Sequence, residues 1–518
     1  MKKIGIVNII NFIRATEPRI PEIDLYEPVE KQMKCVSKYN FPATWLLQYD
    51  ALINNRFIEI MKSCPKNHEI GIWFELVRPL VEEAGIKWRG RYDWDWHADV
   101  GFSVGYTPKE RERIADVFME KFRDIFGKYP ESVGSWFIDA HLLGYLSDKY
   151  DINASCNCKD QWGTDGYTLW GGYYGQAYYP SMKNSFMPAQ NEEKQIPVPI
   201  FRMLGVDPIY QYDATEEGNG QTVKTLEPAY ENGGGCSEWV RWFFETTFKN
   251  PSLSFGYAQV GQENSFGWKR MEKGFTYQIS LLAKISAQYN IRIETLSDTG
   301  KWFKSTYKTT PTSAITALTD WKQEGRKSIW FYSRYYRINL FLENESLKIR
   351  DIHVFDENYQ ERYLNLACES STVIYDTLPV LDGSRWSGYE KTACIIPVIL
   401  QPHGGHFTLK GSKFFLKEAL DKRVHIIQSF PNGGTIEIKC MDICVEIFSS
   451  ASHFGIFISW GTYTGPSILQ KNNSIILQYN HNGYPYSVEI INVNMEIKPS
   501  HILLMPVDSS MPIQFMFV

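Results

Sequence analysis

"ESVGSWFIDAHLLGYLSDKY", residues 131–150, is an apolar run that ends in a single acid, Asp139, and passes at once into a stretch with helical spacing. A strand that leads directly into a helix is the repeating unit of a parallel α/β sheet or barrel, and functional groups gather where strands end and the following loops begin. Asp139 stands at such a point, and two roles are open to it. An Asp before a helical run is a preferred N-cap, favoured by the helix dipole. The same environment keeps a carboxylate ionised, which a catalytic nucleophile or electrostatic stabiliser requires.

The unit recurs on the N-terminal side. "KIGIVNIINF" (3–12), "FPATWLLQ" (41–48) and "HEIGIWFE" (68–75) read as strands, and helical spacing follows the first two. "TPKERERIADVFMEKFRDIFG" (107–127) is the clearest helix, with Thr107 as N-cap and Pro108 at its first position. On the C-terminal side, residues 151–235 lose this periodicity and are rich in Gly, Tyr and Trp, with one buried strand in "IPVPIFRML" (196–204). Helix and strand patterns then alternate again as far as "IRIETL" (291–296). Beyond residue 310 short strand patterns separated by turns such as "PNGG" predict an all-β, sandwich-like domain. The expected fold is a distorted (β/α)7-type barrel over 1–310 followed by a β-sandwich-like domain over 311–518.

The 518 residues carry a net charge of −5, with no Lys/Arg run able to track a phosphate backbone, so nucleic acid is not an expected partner. No segment is apolar for long enough to span a membrane. The apolar start "MKKIGIVNIINFIRATEP" is interrupted by Asn8 and Asn11 and lacks a small-residue cleavage site, so it reads as a strand. The nine cysteines are scattered, and no second pair completes a zinc site with Cys156 and Cys158. They read as free thiols of a cytoplasmic protein, or of a periplasmic one whose leader has been removed. Aromatics make up 15% of the chain, with 16 Trp and 31 Tyr. Large cores account for many of them, and a carbohydrate site would use the rest, because a sugar's C–H face packs on an aromatic ring.

Strand ends supply the candidate chemistry: Asn8, Asn11, Gln48, Asp50, Trp73, Glu75, Asp139, His141, Gln262 and Glu263. Glu263, in the turn of "SFGYAQVGQENSFGW" (254–268), is placed as a proton donor or as an ordinary surface Glu. Two carboxyl groups across an aromatic pocket are the minimum for glycoside hydrolysis. Asp93, Asp95, His97 and Asp99 alternate in "RYDWDWHADV" (91–100). They read as a metal cluster or, with Trp94 and Trp96, as a loop over the site.

"FPATWLL" and "NHEIGIWFE" resemble two strands of the polysaccharide deacetylases, which share a seven-stranded (β/α) barrel with several glycoside hydrolases. Trp73 stands where that family has its first metal-binding histidine, Val77 lies near the second, and Asn8 or Asn11 replaces its paired aspartates. "SWFIDAHLLGY" resembles the nucleophile segment of class II alpha-mannosidases, with Asp139 on the nucleophile, but their His–x–Asp on strand one is absent. The metal-free alpha-amylase and branching-enzyme group of the same fold is also similar, "GQENSFGW" lying near its acid/base, where register places Gln262 rather than Glu263.

The resemblance implies a metal-independent, retaining glycoside hydrolase acting on an α-linked sugar, with no cofactor. Asp139 would be nucleophile and Glu263 acid/base, with Glu75 a supporting carboxylate able to displace either. Trp73, Trp94, Trp96, Trp162 and Trp170, with His97, His141 and Gln262, would contact the carbohydrate substrate. The alternatives are a deacetylase with a diverged metal site at Asp93, Asp95 or His97, and a non-catalytic glycan-binding protein on the same barrel.

Overall fold

A computed structural model describes residues 4–158, 171–173, 175–211, 223–383, 391–401, 405–411, 413–418, 423–431, 433–462 and 464–517. The N-terminal part is a curled, largely parallel sheet. Its strands are β1 (Gly5–Ile13), β2 (Thr44–Leu47), β3 (Glu69–Trp73), β4 (Ser132–Gly134), β5 (Ala154–Asn157), β6 (Ala177–Tyr178), β7 (Ile200–Arg202), β8 (Gly256–Val260) and β9 (Ile291–Glu294). The order is β6-β7-β5-β4-β3-β2-β1-β8, and β9 also pairs with β1. β1 is shared along its length: Gly5–Asn8 face β9 and Ile10–Ile13 face β2. Every pairing is parallel except β6 with β7. Among the described residues no ladder joins β7 to β8; the Leu204 N–H, just past β7, instead donates to Gln259 Oε1 of β8 at 2.8 Å.

Period-2 alternation divides β1 between two cores, as a strand inside a barrel requires. Val7, Ile9 and Ile13 join the helical layer outside. Ile6, Ile10 and Phe12 turn inward to meet Leu46, Trp73, Trp136, Phe201 and Tyr257. The interior is therefore packed with side chains. Phe12 stacks on Trp73 with ring centroids 4.1 Å apart and planes 13° apart, and Trp136 meets both rings edge-on. The long helix Pro108–Phe126 starts with the expected box: the Thr107 side chain accepts from the N3 backbone, and Glu110 accepts from the Thr107 N–H at 2.9 Å.

One difference from the sequence reading bears on the site. The expected fourth strand runs through Ile138, but β4 ends at Gly134. A Cβ at Gly134 would lie 2.5 Å from Leu46 and 2.8 Å from the Trp73 ring, so the chain can pass there only without a side chain. Trp136 and Phe137 then leave the sheet to fill the interior. Asp139 consequently sits five residues beyond the strand. Strand β5 was hidden in the sequence because "ASCN" is short and largely small or polar.

From β10 (Ser313–Ala317) the chain forms two antiparallel sheets of ten and eight strands. The next strands of the first sheet are β11 (Lys327–Tyr332), β12 (Tyr336–Glu343), β13 (Ser346–Val354) and β14 (Leu378–Asp382). Inward residues of both sheets, among them Ile338, Leu340, Ile438 and Ile490, are fully buried. The barrel followed by a β domain is the architecture the sequence indicates. No helix of the described residues is long and apolar enough to cross a membrane.

Gly134→Ala is expected to destabilise the fold by about 1–3 kcal/mol through overpacking against Leu46 and Trp73. A lowered urea midpoint at unchanged slope would register it, and an unchanged midpoint would contradict this packing account.

Candidate functional site

The C-terminal ends of β1, β2, β3 and β8 converge on one buried arginine that the sequence reading overlooked. Arg14 follows β1 directly. Its Nη2 donates to Glu75 Oε2 at 3.3 Å and to Glu263 Oε2 at 2.9 Å, and its Nη1 lies 3.5 Å from Glu17 Oε2. Its guanidinium carbon stands 4.1 Å from the centroid of the Trp94 ring. Asn264 fixes the backbone beneath, accepting from the Arg14 N–H at 3.0 Å and donating to the Arg14 carbonyl at 2.8 Å. A lone Arg in "NFIRATEP" gives no local signal of such a role. Its place emerges only when the strands curl together.

Each carboxylate is delivered by its own strand. Glu75 lies two residues beyond β3 and is completely buried, and Gln48 after β2 donates to its Oε2 at 3.1 Å. Glu263 depends on Gly261, whose φ of +131° and contact with Ile10 forbid a side chain: a Cβ there would lie 1.8 Å from the Ile10 carbonyl oxygen. The chain turns over that point, and Glu263 meets Arg14 on one oxygen and the Ser265 hydroxyl on the other. Because Glu75 and Glu263 share Nη2, their Oε2 atoms are at most 6.2 Å apart, the sum of the 3.3 and 2.9 Å bonds.

The charges follow from this crowding. Burial pushes the Glu75 carboxyl up to about 7, with Glu263 reinforcing the rise and Arg14 and the Trp73 indole opposing it. Asp50, buried behind the cluster and accepting from the Ala15 N–H at 2.9 Å, is pushed up to about 6, mainly by burial. Burial disfavours the Arg14 charge, but Glu263, Glu75 and Glu17 together hold it above the ordinary arginine range. Glu17 stays below the usual carboxylate range despite burial, because Arg19 hydrogen-bonds it and Arg14 adds its charge.

Asp139 belongs to another network. It caps the helix Ala140–Tyr150, its Oδ1 accepting from the Leu142 N–H at 2.9 Å. The same oxygen takes Arg111 Nη1 at 2.9 Å, and Oδ2 takes the Ser103 hydroxyl at 2.6 Å. Arg111, also buried, reaches on to the carbonyls of Tyr363 and Leu366 at 2.8 and 2.9 Å, beyond the barrel. Glu361 accepts from the Ala140 N–H at 2.7 Å, so two carboxylates share this helix N-terminus.

The other candidates divide similarly. Trp94 stands at the Arg14 cluster, while Trp96 stacks on Tyr92 at its half-exposed edge, under Arg19 and Arg91. Trp73 belongs to the barrel interior. Gln262 is buried beside the cluster, its N–H 3.3 Å from Asn11 Oδ1. His141 is 3.0 Å from Glu112 on the outer helical layer, away from the mouth. Asp95 pairs with Arg91, Asp93 is exposed, and His97 precedes a short helix, so "DWDWHAD" folds as a loop. Trp162 and Trp170 lie outside the described residues.

The positions where the deacetylase resemblance would put metal ligands do not fit a metal. Asn8 donates through Nδ2 to the Glu294 carbonyl and to Thr299 Oγ1 at 2.9 and 2.7 Å, and its Oδ1 accepts from the Tyr257 hydroxyl at 2.9 Å. Trp73 is an aromatic in the packed interior.

No family model and no curated protein sequence matches the chain. Solved structures do. A protein from Parabacteroides distasonis, provisionally named a glycoside hydrolase/deacetylase, matches with a TM-score of 0.55 at 16% identity, over 74% of this chain and 89% of its own. A provisionally named polysaccharide deacetylase from Mycobacterium smegmatis matches at 0.39 and 12%, over 60% and 93%. The 4-alpha-glucanotransferase from Thermococcus litoralis matches at 0.33 and 9%, over 99% of each chain. The first of these shows a shared fold.

Asp139→Asn removes the anionic partner of a fully buried arginine and is expected to cost about 3–5 kcal/mol of stability. Denaturant unfolding reads this directly. A variant as stable as the wild type would show that Asp139 is not the structural anchor its contacts indicate.

Proposed function

We propose that this chain is a carbohydrate-active enzyme that cleaves glycosidic bonds with two carboxyl groups, Glu75 and Glu263, and without a metal at the barrel mouth. The observation that carries the reading is their joint attachment to Arg14 Nη2, which confines their nearest oxygens to within 6.2 Å. Carboxyl groups about 5–5.5 Å apart serve retaining glycosidases, and about 6.5–9.5 Å inverting ones, so the pair falls on the retaining side. Glu75, raised to about 7, is the general acid that protonates the leaving oxygen and afterwards the base that activates water. Glu263, receiving Arg14 and Ser265, is the nucleophile. Glu263 thereby takes the nucleophile's place first expected for Asp139, whose oxygens are engaged by the fold, and Glu75 takes the acid/base place first expected for Glu263.

Trp94 and Trp96 lie beside the pair with their rings covered by Arg14, Arg19 and Arg91, and Arg19, half exposed, marks the approach from solvent. The name of the Parabacteroides protein agrees with a carbohydrate substrate. The linkage is expected to be α, by the resemblance of "GQENSFGW" to α-acting enzymes.

Activated aryl α-glycosides test the assignment. Glu263→Gln should lose nearly all turnover. Glu75→Gln should lose about 10²–10⁴-fold, most with poor leaving groups, as removal of a general acid does. Because the acid must be protonated, wild-type kcat/KM should fall as pH rises through about 7, and Glu75→Gln should abolish that limb. Wild-type rates in both Gln variants would refute the assignment.

A further inference from the structure

A second buried cluster lies in the β domain, on the face of the first sheet that meets barrel residue Gly172. β13 places Asp351 and His353 on one face, and β14 places Asp382 directly opposite Asp351. All three side chains are completely buried. Two carboxylates set directly opposite on adjacent strands are not an ordinary pairing. It is not a uniform ladder either. The pairing shifts between Ile352 and His353, so that His353 faces Pro379, and such irregularities re-aim side chains near functional sites.

Arg337 of β12 answers one carboxylate. Its Nε and Nη2 donate to Asp351 Oδ1 and Oδ2 at 2.8 and 2.9 Å, and its Nη1 reaches the Gly172 carbonyl at 3.0 Å. Held by two N–H groups of Arg337, Asp351 lies 3.2 Å from His353 Nδ1 and is placed to accept that ring N–H. The opposite ring nitrogen, Nε2, is left aimed at Asp382 Oδ2 at 3.7 Å, beyond hydrogen-bond reach, and has no hydrogen-bond partner.

We propose that His353 Nε2 and Asp382 bind a divalent cation of the zinc class between them, with Asp351 and Arg337 as the outer pair that orients the imidazole. A metal-bound histidine commonly donates its second ring N–H to a carboxylate, which fixes its tautomer and aims the lone pair at the metal. The Asp351–His353 bond reproduces that arrangement. Zn–N and Zn–O bonds of about 2.0–2.2 Å span a 3.7 Å donor separation at an open angle. The three residues each offer a ligand atom within 4.8 Å of the others. The site is independent of the Glu75–Glu263 pair.

The full-length protein, stripped with chelator and titrated with Zn²⁺, tests it. One equivalent of zinc should bind and raise Tm, and Co²⁺ in its place should give visible d–d absorption. His353→Gln and the nearly isosteric Asp382→Asn should each lose that equivalent and the absorption. Asp382→Asn is the safeguard should His353→Gln fail to fold. Absence of zinc uptake by the wild type, or equal uptake by a folded Asp382→Asn, would overturn the proposal and leave a purely structural ionic cluster.

Discussion

A guanidinium taken out of water is tolerated only when anions and hydrogen bonds surround it, and the mouth of this barrel is built around that requirement for Arg14. Three strands bring carboxylates to it: Glu17 follows β1, Glu75 follows β3 and Glu263 follows β8. Trp94 covers the flat face of the group, and Asn264 holds its backbone. Arg14 and Arg19 meet Glu17, Glu75 and Glu263 in a largely buried space. The most deeply buried carboxyl therefore keeps its proton into the neutral range, and that carboxyl is Glu75. Burial is the main cause of that rise and the neighbouring Glu263 adds to it, before any substrate enters.

The aromatic interior sets where this can happen. Phe12, Trp73 and Trp136 pack on one another inside the barrel and fill much of its interior with apolar rings. Chemistry is displaced to the rim, onto residues one to three positions beyond the strand ends. Leu46 and the Trp73 ring together require a glycine at 134, where β4 ends and the following residues turn into the core. Trp73 on β3 thus takes part both in filling the interior and, with Leu46, in the glycine requirement at 134 that precedes Asp139.

The alternating pattern of "KIGIVNIINF" made β1 readable, because one strand divides its residues between two cores. The Thr107 box was readable because capping is a local interaction. Glu75 and Glu263 were individually readable as strand-end carboxylates, but their meeting depends on curvature that brings residues 188 positions apart onto one nitrogen. Arg14 could not be read at all, since nothing in "NFIRATEP" distinguishes it from an exposed arginine. The β-domain cluster was equally hidden. "IRDIHV" reads as an ordinary strand until β14 sets Asp382 beside it.

The same logic explains why an acid in "SWFIDAH" attracts attention without being the catalytic one in the reading proposed above. The N-terminus of helix Ala140–Tyr150 offers unpaired N–H groups and a positive dipole end, and it takes two carboxylates, Asp139 from the barrel and Glu361 from the polypeptide beyond β13. Arg111 joins that pair to the Tyr363 and Leu366 carbonyls. The strongest anion site at the end of strand four is thereby spent on docking the C-terminal part of the chain. With its oxygens engaged by Arg111, Ser103 and Leu142, Asp139 could attack a sugar only by releasing one of the contacts that join the two parts. Glu75 and Glu263 carry no such obligation: their partners are the groups of the mouth itself.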